Sequence, residues 1–215
     1  MKYLKKYNEN NYLSEDGKEF SCFNYNLTEL SFIPDTVEIV YCYNNRLEEL
    51  PKLPKGLKEL HCDSNVLKEL PTLPDTVEIL NCGNNKLEEL PELPKGLKEL
   101  YCHNNKLKEL LELPKELKYL YCDYNKLEEL PELPKGLKEL YCRNNNLKEL
   151  QFIPKTIERL YCGDNELKKL PRLPKGLEAL NCYNTNLPYE DLEGYWEWFY
   201  KENPDLGEAN KMGLF

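Results

Sequence analysis

Apolar and polar residues alternate in short bursts along this chain. In "ELYCH", Leu100 and Cys102 are flanked by Glu99, Tyr101 and His103. A period of two over so short a run marks a strand with one face buried. The same burst returns every twenty residues. One apolar column runs Phe20, Val40, Leu60, Leu80, Leu100, Leu120, Leu140, Leu160, Leu180. The next runs Cys22, Cys42, Cys62, Cys82, Cys102, Cys122, Cys142, Cys162, Cys182, and it takes in every cysteine of the chain. A third runs from Leu27 to Leu187, and an asparagine column from Asn45 to Asn165. Such a period predicts a solenoid in which each unit buries its apolar face against its neighbours. Stacked units give a parallel sheet, and nine strands span roughly 40 Å at about 4.8 Å per strand. The asparagines are placed to bond the backbone of neighbouring turns.

The segment returning from one strand to the next is rich in proline. Prolines stand at 34, 54, 74, 94, 114, 134, 154 and 174, with five more at 51, 71, 91, 131 and 171. Proline fixes φ and removes a donor, so the return is extended or polyproline-II backbone and not a helix. A thin outer side of this kind predicts a gently curved stack.

Both ends depart from the pattern. Tyr25 takes the asparagine column and Gly17 a leucine column, so residues 1–30 read as a cap with a degenerate first repeat. Eight regular units fill 31–187. Residues 188–215 read as a helical cap and tail, the whole forming one continuous domain. Pro188, Glu190 and Asp191 suit a helix start. Leu192, Tyr195, Trp196 and Phe199 follow helical spacing, and Asn203-Pro204 ends it.

"LPELPKGLKELYCRNNNLKEL" resembles the short leucine-rich repeat of the bacterial YopM and IpaH effector family, whose pattern is LPxLPxxLxxLxVxxNxL. The likeness covers roughly residues 31 to 187. It implies a right-handed leucine-rich-repeat solenoid with a concave parallel sheet that binds other proteins. Two departures stand out. Cysteine replaces the family's usual valine, and the IpaH ubiquitin-ligase domain has no counterpart in this sequence.

The formal charge of −9, from 38 acidic and 29 basic residues, argues against nucleic acid or an anionic membrane as partner. No apolar run reaches the ~18 residues of a membrane span. "MKYLKKYNENNYLSEDGKEF" lacks the apolar core of a secretory signal. With an odd number of cysteines, the expected setting is the cytoplasm or another reducing compartment, compatible with a signal-independent route of export.

The cysteines invite four readings: disulfides, metal, nucleophiles or core. In-register neighbours sit near the strand spacing, beyond the ~3.5–4.5 Å between Cβ atoms that a disulfide prefers. A straight row cannot wrap a zinc ion, and no C-x-x-C pair occurs. Buried thiols are poor nucleophiles. A ladder of small apolar side chains is therefore the favoured reading. His61 with Asp63, and His103 with Asp123, make at most half a triad, since no activated serine or thiol joins them. No catalytic residue, metal site or cofactor is expected.

Two charged columns are read as solvated faces: the acidic run from Glu29 to Glu149, with an acidic strip for a basic partner as its alternative, and Glu38, Lys58, Glu78, Lys98, which alternates in sign. The concave columns carry the candidate site. Tyr101, Tyr121, Tyr141 and Tyr161 form a stripe, flanked by Tyr119, Arg143 and Arg159. Tyr41, His61, His103, Tyr43 and Tyr183 extend it towards the two ends. Tyrosine and arginine bury much area while keeping a polar tip, as binding surfaces need. The expected function is a non-enzymatic, monomeric protein-binding module, with the arginines pairing acidic groups of the partner. The alternative is a structural scaffold or self-assembling spacer.

Overall fold

A computed structural model describes residues 12–204. The start of the expected N-terminal cap, 1–11, and the tail, 205–215, lie outside the described residues. Nine three-residue strands stack in chain order: β1 (Glu19–Ser21), β2 (Ile39–Tyr41), β3 (Glu59–His61), β4 (Ile79–Asn81), β5 (Glu99–Tyr101), β6 (Tyr119–Tyr121), β7 (Glu139–Tyr141), β8 (Arg159–Tyr161) and β9 (Ala179–Asn181). All pairings are parallel, and every register offset is twenty residues, as in Leu100 with Leu120. The period seen in the sequence is thus the spatial period. A residue and its counterpart twenty positions on stand side by side.

The core lies between the sheet and the return segments. Leu97, Leu100, Cys102 and Leu107 of one turn have no exposed surface, and the same columns are buried in the other regular turns except at the half-buried Leu187 of the last. Each cysteine follows its three-residue strand, yet its amide continues the ladder: Cys102 N–H donates to the Tyr121 carbonyl at 2.8 Å. The ladder therefore runs one residue beyond the regular part of the strand. Between strands the return segments carry no helix; each closes through a short turn in which the Leu97 amide, for example, bonds the Pro94 carbonyl at 3.0 Å.

The asparagine column does what its spacing suggests. The Asn105 side-chain amide donates to the carbonyls of Cys82 and Cys102, both at 3.1 Å, and its oxygen accepts from the Leu87 amide at 3.0 Å. Each asparagine ties its own turn to the one before. The residue just before it is left-handed in every turn, from Asn24 (φ 64°) through Asn104 (φ 51°) to Asn184 (φ 52°). Asparagine fills six of these nine positions because its short side chain tolerates that conformation.

Both edges of the sheet are covered. Leu13 pairs antiparallel with Phe20, through a tight turn at Gly17 (φ 69°), and Tyr12 packs edge-on against Phe20 and Tyr25. The turn explains why glycine stands in a leucine column there. At the other edge Asp191 pairs antiparallel with Asn181, and the Cys182 amide bonds the Glu190 carbonyl at 2.8 Å. This corrects the expected helix start. Residues 189–191 are spent on the sheet edge, so helix α1 (Leu192–Glu202) begins only after Asp191, whose carboxylate caps the Gly194 amide. The helix then closes the core: Tyr195 is buried, lies edge-on to Tyr189, and accepts the Leu173 amide at 3.0 Å.

Candidate partner-binding face

Three columns face the concave side: the first and last residues of each strand, and the residue after the cysteine. Strand pleating sends their side chains away from the core, while the leucine between them points in. These positions can vary without cost to the core.

Tyr101, Tyr121, Tyr141 and Tyr161 form one row. Ring centroids are 4.8, 4.2 and 4.5 Å apart along it, and the last two pairs are within 10° of parallel. All four are half-buried. Two of their hydroxyls are anchored by neighbouring carboxylates: Tyr101 donates to Glu99 at 2.7 Å and Tyr121 to Glu139 at 2.5 Å. Burial, reinforced by these carboxylates, pushes both phenols well above the usual tyrosine range, so they stay protonated donors. Tyr119 is half-buried in the column beside the row.

A second aromatic group sits nearer the N-terminal end. Tyr41 stacks on His61 at 4.9 Å and meets Tyr43 edge-on at 6.4 Å, while Tyr43 lies flat on Phe23 at 4.7 Å. His61 bonds Glu59 at 3.2 Å, not the Asp63 expected from spacing. His103 leans back over Gly83, and its Nε2 bonds the Asn84 side-chain amide at 3.1 Å. An added Cβ on Gly83 would meet that ring at 2.4 Å, so glycine makes the room for it. Tyr183 leans over Gly163 in the same way and stands apart from the tyrosine row.

The two arginines are engaged within the fold. Both already hold partners within the chain. Arg159 pairs with Glu139 at 2.8 Å, and Arg143 with Asp123 at 3.5 Å, where the Asp123 carboxylate also takes the Arg143 backbone amide at 2.9 Å. Glu139 and Asp123 are nearly buried, so each arginine first neutralises a carboxylate on the floor of the face. Burial raises the Asp123 carboxyl, and Arg143 works against that rise.

Sequence reasoning missed Glu59, Glu99 and Glu139, which anchor His61, Tyr101 and Tyr121. Their signal is a glutamate every forty residues in the column beside the tyrosines. It missed Phe23 as well, the stacking partner of Tyr43.

The nine thiols are unpaired and fully buried. Burial pushes Cys22, Cys82 and Cys182 up to about 12. It holds the other six well above the usual thiol range. Among the described residues no three histidine, cysteine or acidic side chains are grouped to hold a metal ion, and no helix is long and apolar enough to cross a membrane.

A family model described as "Leucine Rich repeats (2 copies)" matches residues 95–135. YopM of Yersinia pestis superposes with a TM-score of 0.74 and 37% identity, over 80% of this chain and 56% of YopM. A Shigella effector leucine-rich-repeat domain gives 0.62 and 32%, over 72% of this chain and 70% of that domain. The functional domain of InlJ from Listeria monocytogenes, which includes a cysteine ladder, shares the fold at 0.63 and 24%, over 83% of this chain and 46% of that one. This chain spans about half the length of the Yersinia structures it matches. None of the curated proteins matches it. Period, register, cysteine ladder and these likenesses agree: the chain belongs to the leucine-rich-repeat family, in the short-repeat bacterial form shared with the Shigella effector domain.

Proposed function

We propose that this chain is a protein-binding module without enzymatic activity of its own, and that its partner lies along the concave tyrosine row. The carrying observation is the row itself: four half-buried phenols in continuous ring contact, two of their hydroxyls fixed by Glu99 and Glu139. Rings held in place lose little entropy when a partner covers them, which is what makes tyrosine effective at interfaces. The leucine-rich-repeat fold is commonly a protein–protein interaction module, and the effector relatives support an effector-like role. The free thiols fit a reducing compartment.

A scaffold that grows end to end has less support, because an antiparallel segment already covers each edge strand. A monomer is the expected state.

The test is capture of partners from the native host, comparing wild type with a Tyr121→Ala, Tyr141→Ala double variant of unchanged circular dichroism. Loss of the captured species supports the reading. Undiminished capture by the double variant overturns it.

A further inference from the structure

The aromatic column is broken at one place. Asn81 stands between His61 and Tyr101 in the register of β3, β4 and β5. On one side the His61 ring is stacked on Tyr41; on the other Tyr101 packs against Tyr121. Among the described residues no ring contact bridges the two, so each presents one face to the gap. Asn81 does not fill it. Its side-chain oxygen accepts the Gly83 amide at 3.3 Å, which folds it down onto its own turn. Two strand spacings separate the flanking columns, about 10 Å. A planar cation midway would stand about 5 Å from each ring, within the ~6 Å reach of a cation–π contact.

The rim of this gap is acidic. Glu59 and Glu99 flank it in the neighbouring column; Asp63 lies on the other side of His61, where the His103 ring covers Gly83 and closes that side of the gap. Asp123 and Glu139, further along, are matched by Arg143 and Arg159. Glu59, Asp63 and Glu99 have no lysine or arginine partner among the described residues. Glu59 instead holds His61, Asp63 accepts from Ser64 at 3.3 Å, and Glu99 accepts from Tyr101. Burial raises the Asp63 carboxyl, opposed by Ser64 and more weakly by His61 and His103. The concave face thus divides: a charge-neutral tyrosine row at one end, and unmatched carboxylates around an open aromatic slot at the other.

We infer that the slot over Asn81 receives an arginine side chain of the protein partner, its guanidinium lying between His61 and Tyr101, its N–H groups donating to Glu59 and Glu99 and its charge matched in addition by Asp63. Guanidinium is the cation that suits such a place. It is flat, it stacks on aromatic faces, and its fork of donors matches carboxylates. An ammonium has the charge but not the plane. This inference deepens the proposed function and rests on the concave face being the binding face.

The experiment needs no partner. N-acetyl-arginine methylamide is titrated into the full chain and followed by backbone amide shifts, beside the lysine compound and the neutral citrulline isostere. The expected result is saturable movement of the Asn81, Gly83 and Tyr101 amides with arginine, weaker movement with lysine and none with citrulline, while Tyr141 and Tyr161 stay still. Asp63→Asn with Glu99→Gln is expected to weaken binding about tenfold. Asn81→Tyr, which places in the gap a residue its own column uses in five other turns, is expected to abolish it with the remaining spectrum unchanged. Equal movement with citrulline, arginine shifts confined to the outer acidic column, or arginine binding that survives Asn81→Tyr would overturn the slot. Any of these together with partner capture that depends on Tyr121 and Tyr141 would remove the slot alone and leave the proposed function standing.

Discussion

The Asn105 side-chain amide donates to the carbonyl of Cys82, which lies a whole turn earlier in the stack, at 3.1 Å. It also holds Cys102 of its own turn, and its oxygen receives the Leu87 amide. One side chain therefore closes backbone groups that the bend after each strand would leave unpaired. Asn105→Ala is expected to cost about 1–3 kcal/mol, because the half-buried site leaves several backbone groups without their partner. Urea denaturation measures it. A change below about 0.5 kcal/mol would show that water replaces the ladder.

The thiols make a pH prediction. Folded Cys22, Cys82 and Cys182 titrate at about 12, and the other six are also raised well above the ordinary range. In an unfolded chain a thiol titrates at about 8.5. Above pH ~8.5 the unfolded chain loses protons that the folded chain retains, so stability is full below that pH and falls as pH rises towards the folded values. Each thiol contributes about 1.4 kcal/mol per pH unit in that window. With nine in the array, the stability curve should drop steeply between about pH 8.5 and 10. Cys102→Val should leave neutral stability nearly unchanged and reduce the slope by about one proton. A flat curve would mean the thiolates are tolerated.

Much of this is legible in the sequence because a twenty-residue period repeats each signal. Alternation points Leu100 and Cys102 inward, and burial agrees. The antiparallel segments at Leu13 and Asp191 are not legible, since each occurs once and no repeat averages over it. Pro188 resembles a helix start for the same reason. The pairing of Arg159 with Glu139, and of Arg143 with Asp123, is available in principle. Each pair is twenty residues apart, so the register places them side by side. Weighing exposure alone turns both arginines towards a partner; weighing adjacency turns them towards these carboxylates. The tyrosine row is legible as a column and the forty-residue glutamate period marks its candidate anchors, but whether a hydroxyl takes the glutamate of its own strand, as Tyr101 does, or of the next, as Tyr121 does, depends on rotamers.

Those pairs predict that Arg159→Ala acts first on the fold. Glu139 would keep the Tyr121 hydroxyl but lose its counter-charge in a nearly buried place. Because Arg159 itself is exposed, solvent screens the pair, and the drop in urea midpoint is expected to be smaller than for a fully buried pair. Adding Glu139→Gln should recover most of it. No drop in the single variant would free Arg159 to act towards a partner, as its exposure alone suggests.

Tyr124 occupies the left-handed position at φ 54°, where six of the other turns place asparagine. Its ring is exposed and adds no core packing. Tyr124→Asn should therefore stabilise the protein by about 1 kcal/mol, by relieving the clash of a bulky L-residue in this region. It would also restore the outer amide ladder in which Asn104 donates to Asn84 at 2.7 Å. Thermal unfolding should rise by about 2–4 °C for a domain of this size. A lower midpoint would mean that the Tyr124 ring contributes more than its backbone costs.

The C-terminal cap depends on one hydroxyl. Tyr195 is buried, and its oxygen accepts the amide of Leu173, in a return segment two residues after Pro171. Tyr195→Phe keeps the ring and its edge-on contact with Tyr189 at 5.1 Å but leaves that amide without an acceptor. The expected cost is about 1–3 kcal/mol. Both tryptophans lie on the same helix, and the Trp198 ring is 5.2 Å from Tyr189, so tryptophan fluorescence reports the cap directly. In a solenoid each turn is held mainly by its neighbours, so the fluorescence transition should move to lower urea than the circular-dichroism transition of the sheet. If the two transitions stay coincident and unshifted, the hydroxyl is dispensable and the cap is held by ring packing alone.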